Sequence, residues 1–150
     1  MREHVQHDRP PESVPSVADA FDAACTAVEE AAEAEAARDA TAALDIPHTR
    51  GAVAIASATD RLLTRVEGLA AGVELIPACR RGALGVGALG QWKTLKARGP
   101  APDPLGTWSY MRDLAHVTRD MVRVLQQHRT EQRSAFVGRP DMPPLTPDAR

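Results

Sequence analysis

The chain has 150 residues and a mass of 16.1 kDa, with 43% apolar side chains, only five aromatic ones and a net charge of −2. That length buries one core without metal or disulfide staples, and with so few rings the core has to be built from Leu, Val, Ile and Ala. No apolar stretch follows the charged N-terminal residues and every apolar run is broken short of a membrane span, so neither a signal peptide nor a transmembrane helix is expected and the protein is placed in the cytoplasm.

Residues 1–15, with three prolines, are read as a disordered tail, and residues 16–131 as a single helical domain. Ser16 with Asp19 three residues on has the form of a capping box that opens a helix at Val17. Val17, Phe21, Ala24, Val28 and Ala31 supply its apolar stripe. The second half of this helix, over 29–44, is rich in Ala, Glu and Asp; it has strong helix propensity but little to bury, and is expected to be partly exposed.

Pro47 and Gly51 bracket a turn with Thr49 as a candidate N-cap, and a second helix follows over 52–75. Its seam is the clearest pattern in the chain: Ile55, Thr59, Leu62, Val66, Leu69, Val73 and Ile76 alternate spacings of four and three, which only a helix buried along one side can use. Asp60, Thr64, Glu67 and Glu74 lie opposite. Pro77 lacks a backbone donor and pushes Ile76 out of helical geometry, so the helix ends or kinks there.

A third helix is read over 78–97. Gly82, Gly85, Gly87 and Gly90 count against it, at roughly 1 kcal/mol each relative to Ala, yet Leu84, Ala88, Trp92 and Leu95 share a face. The glycines would let another backbone approach closely. Beyond a Pro-rich loop, Asp103 and Pro104 form an N-cap and first helical position. The fourth helix then runs over 104–129, its seam Thr107, Met111, Leu114, Thr118, Met121, Leu125 and His128. Residues 132–150 are read as a Pro-rich disordered tail. The fold class is therefore all-α, a four-helix bundle-like single domain with disordered termini.

Charge is strongly asymmetric, with net −8 over residues 1–76 and +6 over 77–150, so the halves attract each other and partners of opposite sign. Arg112, His116, Arg119 and Arg123 fall in one narrow arc of the fourth helix, nearly opposite its seam. They are the candidate partner- or phosphate-binding residues, because Arg can hold a phosphate or carboxylate with two parallel donors. A solvated face, or one packed on the acidic first helix, is the blander alternative, and Asp113 and Asp120 dilute the field. Lys93, Lys96 and Arg98 would extend a nucleic-acid patch, although no helix-turn-helix signature accompanies it.

The run Gly85-Val86-Gly87-Ala88-Leu89-Gly90 matches a dinucleotide fingerprint in letters, but no strand precedes or follows it, so helix packing is the expected role. Trp92, Trp108, Tyr110 and Met111 could line a small-molecule pocket, with core filling the expected alternative. His4 and His7 lack further ligands. His128 suits a helix C-terminus. Glu29, Glu30, Glu33, Glu35 and Asp39 lack the Glu-x-x-His spacing of a di-iron bundle and read as a solvated or partner-facing surface. Cys25 and Cys79 read as small buried apolar residues, or less readily as a disulfide. No catalytic residue, cofactor or metal site is expected.

The Val66 helix, the Ile76-Pro77-x-Cys79-Arg80 turn, the Gly-rich helix through Lys96 and the Leu114 to Leu125 helix resemble a family of small uncharacterised helical proteins of actinomycetes. Some of these are labelled natural-product biosynthesis proteins. The resemblance covers residues 66–128, agrees with the high-GC codon footprint of sixteen Arg against two Lys, and implies no catalytic motif. The expected function is that of a non-catalytic helical interaction or accessory protein with a protein partner or a second copy. Nucleic-acid binding is the first alternative and a small-molecule or enzymatic bundle the second.

Overall fold

The computed structural model describes residues 16–137, in which four α-helices and one short 3₁₀ turn account for all regular structure. Helix α1 spans Val17–Leu44, α2 Ala52–Leu75, α3 Gly82–Arg98 and α4 Pro104–Val137, with the 3₁₀ turn at Ala78–Arg80. By its contacts the chain divides inside α1 into two units, Met1–Ala32 and Glu33–Arg150. Expectations about residues 1–15 and 138–150 lie outside the described residues.

In the first unit the capping box forms. The Ser16 backbone N–H and hydroxyl donate to the Asp19 carboxylate at 3.1 and 2.7 Å, and the Asp19 N–H donates back to Ser16 Oγ at 3.2 Å. Two otherwise unsatisfied donors are thereby used at the start of the helix. The stripe that follows is not buried: Val17 is 88%, Phe21 68% and Val28 70% exposed.

In the second unit every member of the α2 seam from Ile55 to Ile76 is buried, while Asp60, Thr64, Glu67 and Glu74 stay on the outer side. The helix stops at Leu75 because Ile76, ahead of Pro77, is extended (φ −67°, ψ 129°), and the Ile76 N–H turns back to the Val73 carbonyl at 3.2 Å. Helix α4 is the central element. Met111, Leu114, Thr118 and Met121 of its seam are fully buried, and Tyr110, Val117 and Val124 widen that face. A Cβ on Gly85 would meet Val124 of α4 at 3.3 Å, and Arg98 pairs with Asp113, so α3 runs antiparallel to α4. Glu33 lies with Arg129 and Leu44 with Arg112, so residues 33–44 of α1 also run antiparallel to it. Ala36, Ala40 and Ala43 are each at most 1% exposed.

Several expectations are corrected. For α1 the apolar stripe of the first half is exposed, and the Ala-rich second half, open to solvent on one side as expected, buries Glu33, Ala36, Ala40 and Ala43 on the other. Helix α3 begins at Gly82, whose φ of +64° breaks the path from the 3₁₀ turn. Gly51, and not Thr49, is the N-cap of α2, with no side-chain bond. Residues 132–137 of the expected tail are helical. Apolar periodicity ends at His128, but Gln127 bonding Glu131 at 2.9 Å and Ser134 bonding the Thr130 carbonyl at 3.0 Å carry the helix on through good helix formers.

Candidate interaction surfaces

The predicted basic arc of α4 is split by the structure. Arg112 is half-buried; it donates from Nη1 to the Leu44 carbonyl at 2.8 Å and lies over the Trp108 ring, 4.9 Å from its centroid. Trp108 Nε1 in turn donates to the Ile46 carbonyl at 2.8 Å. Together they hold the C-terminal end of α1, whose last carbonyls have no helical partner. Arg112 is thus a structural clamp within the bundle. His116, Arg119 and Arg123 remain exposed; Arg123 stands 3.5 Å from Asp120, while Arg119 has no ion-pair partner among the described residues.

The carboxylates of α1 are corrected in the opposite sense. Glu33 is 4% exposed and takes two donors from Arg129, one of them at 3.1 Å. Arg65 of α2 bonds Asp39 at 3.1 Å and Glu35 at 2.7 Å, and these partners, the Asp39 bond foremost, hold its guanidinium more firmly in the charged form. Three of the five acids expected on an open surface are therefore internal links of the bundle. The asymmetry of charge is partly satisfied inside the chain, as the Lys96 to Glu67 contact at 2.7 Å also shows. The clue to the Glu33 link was present in the sequence: Glu33, Ala36, Ala40 and Ala43 share one face of α1, and Trp108, Ala115, Val122 and Arg129 recur every seven residues on α4.

Between α3 and α4 lies an open cleft of about 610 Å³, lined by Gly87, Gly90, Gln91 and Thr94 on one side and by Asp113 and His116 on the other. Asp113 is paired with Arg98 at 3.1 Å. The glycines divide in role. Gly85 does pack, against Val124 and Arg81, but a Cβ on Gly87 or Gly90 would meet nothing within 4 Å. The two glycines each cost α3 about 1 kcal/mol against Ala with no packing inside the chain to require them, which corrects the expectation that all served helix packing. Leu84 and Val86 on the same helix are 41% and 60% exposed.

The remaining candidates are absorbed by the fold or open to solvent. Trp92 is buried in the core with Lys96 Nζ 5.5 Å from its ring centroid. Tyr110 is likewise buried, which pushes its phenol up from the ordinary range. His128 is part-buried; its Nδ1 has no partner and its Nε2 lies 2.9 Å from Gln132 Nε2. It borders a crevice of about 180 Å³ with Arg80, Arg81 and Glu131. Cys25 and Cys79, expected to be buried, are both exposed and both free thiols. Among the described residues no group of three or more His, Cys, Asp or Glu side chains is placed to hold a metal, and no helix is long and apolar enough to cross a membrane.

Compared with protein-family models, curated proteins and solved structures, the chain finds no match in any of the three.

Proposed function

We propose that this chain is a non-catalytic helical interaction protein of the cytoplasm, whose bundle carries the N-terminal half of α1 as a docking helix. The observation that carries this reading is the ridge Val17, Phe21 and Val28, exposed at 88%, 68% and 70% on one helix face. Large apolar side chains grouped in this way mark contact sites far more often than single exposed ones do, and an amphipathic helix laid into a groove is a recurrent mode of recognition. The acids Asp19, Asp22 and Glu29, with no Lys or Arg between 16 and 32, favour a partner with a basic rim. The two exposed free thiols support a reducing compartment. Site-specific photocrosslinking tests the reading. A photoreactive residue at Ala24, on the ridge, is expected to trap a protein adduct in the cells that make this chain, and the same probe at exposed Arg38 is the control. An Ala24 probe that traps no more than the Arg38 probe overturns the docking-helix reading.

Nucleic-acid contact is the second reading, supported by the exposure of Arg119 and Arg123 on α4 and of Lys93 on α3. Its test is a titration with labelled duplex DNA at two salt concentrations. Binding whose log K falls with log salt, and which weakens in the Arg119→Ala/Arg123→Ala variant, supports it; no binding at low salt removes it.

A further inference from the structure

We infer that the partner of the docking helix is a second copy of this chain: residues 17–32 of one copy lie along the cleft between α3 and α4 of the other. The inference rests on the docking-helix reading and names its occupant. Three features of the two surfaces carry it.

The first is charge. The segment from Ser16 to Ala32 contains acids and no base, whereas the segment from Ala78 to Arg98 contains Arg80, Arg81, Lys93, Lys96 and Arg98 and no acid. Lys93 is exposed on α3, and His116, Arg119 and Arg123 are exposed along α4, with His116 in the wall of the cleft. With Asp113 in the same wall already paired with Arg98, the exposed charge of these two helices is predominantly basic. Two acidic helices paired with each other would oppose like charges along their length, so ridge against ridge is the weaker arrangement.

The second is shape. Gly87 and Gly90 form a floor with no side chain, and nothing in their own chain occupies the space above them. A helix can approach such a surface closely, setting its apolar ridge against the bare backbone of α3. The glycines that weaken α3 without packing inside the chain then have a role between copies. The third is length: sixteen residues of helix span about 24 Å at 1.5 Å per residue, and α3, with seventeen residues, is of almost the same reach.

Each copy presents one ridge and one cleft, and in the inferred dimer each ridge enters the other copy's cleft. The contact is part electrostatic, and the dimer is expected to loosen as salt rises.

Sedimentation velocity of the full chain, at micromolar concentration and low salt, tests this. The wild type is expected to sediment at twice the 16.1 kDa chain mass. Phe21→Asp, which blunts the ridge, and Gly90→Glu, which fills and charges the floor, are each expected to fall to the monomer mass. Neither change meets packed neighbours inside the chain, and circular dichroism checks that both variants keep the wild-type fold. An equimolar mixture of the two variants is expected to recover dimer, because one copy retains an intact cleft and the other an intact ridge. A wild type that stays monomeric overturns the inference, as does a Gly90→Glu variant that stays dimeric, which would place the ridge on some other surface. An Ala24 crosslink to a different protein, with the wild type monomeric, would overturn the second copy as partner while leaving the docking-helix reading in place.

Discussion

Arg129 of α4 closes on Glu33 of α1 with both terminal guanidinium nitrogens, and the side chains of the pair are only 17% and 5% exposed. The two residues are 96 positions apart in the chain, so the contact ties the buried half of α1 to the far end of α4. A buried pair adds little net stability over a well-packed apolar replacement, but removing one partner strands the other charge out of water. Arg129→Met is therefore expected to lower unfolding free energy by about 3–5 kcal/mol, and Glu33→Leu/Arg129→Met to recover most of that loss. Urea midpoints of the wild type and the two variants at constant slope check the pattern; equal loss in the single and double variants would contradict it.

The clamp at the other end of α1 is open to the same approach. Arg112→Ala removes a charged hydrogen bond to the Leu44 carbonyl, worth about 1.5–3 kcal/mol, and the contact with the Trp108 ring. Arg112→Lys is expected to recover little, since a point ammonium cannot reproduce the planar stack and the aimed donor together. Thermal unfolding gives the loss, and a shift in Trp108 fluorescence reports whether its bond to Ile46 survives.

Helices α2 and α4 are legible from spacing because branched and long apolar residues mark their buried faces without ambiguity. The burial of α1 is not, because alanine scores as weakly apolar wherever it stands; Ala36, Ala40 and Ala43 are buried by what covers them, a property of the partner surface as much as of the residue. The same blindness hid Glu33, a carboxylate whose burial depends on an arginine 96 residues away. On α4, helical register correctly put Arg112 opposite the seam, but a guanidinium on a long stem reaches around the helix to a carbonyl that register alone does not reveal. In the sequence the cleft is only a row of glycines, and only the packing of the folded chain separates Gly85, which meets Val124, from Gly87 and Gly90, which meet nothing.

That separation is itself testable. Gly87→Ala and Gly90→Ala add a Cβ in open space and are expected to raise stability by up to about 1 kcal/mol each. Gly85→Ala sets its Cβ 3.3 Å from Val124 and from Arg81, so a neighbour must shift and the gain is expected to be lost. Denaturant unfolding of the three single variants gives the comparison, and a Gly85→Ala protein as stabilised as the other two would mean that α3 and α4 are less closely packed at this point.

At the start of α1, the bonds from the Ser16 hydroxyl and backbone N–H hold the Asp19 carboxyl below its ordinary value of 3.8. A carboxyl that ionises more readily in the folded helix adds stability that is complete above the unfolded value and disappears as pH falls through the lower folded one. The first turn is therefore expected to fray in acid below about pH 3.8. Amide chemical shifts of residues 16–20, followed through that range, should move together in the wild type and lose this transition in Asp19→Asn.

The divide within α1 makes its two halves separable by truncation. Removing residues 1–32 takes away the exposed ridge and leaves Glu33, Ala36, Ala40 and Ala43 in the bundle, so a cooperative unfolding transition close to that of the full chain is expected. Removing residues 1–46 also uncovers the surfaces beneath the three alanines, strands Arg129 in a part-buried site and leaves Trp108 and Arg112 without the Ile46 and Leu44 carbonyls. The hydrogen bonds lost contribute about 0.5–1.5 kcal/mol each, those to charged groups about 1.5–3, and with the apolar surface uncovered the sum approaches the whole stability of a small domain, about 5–15 kcal/mol. The longer deletion is expected to lose its sharp melting transition and near-ultraviolet dichroism. Two deletions that melt alike would mean that residues 33–46 add nothing to the core.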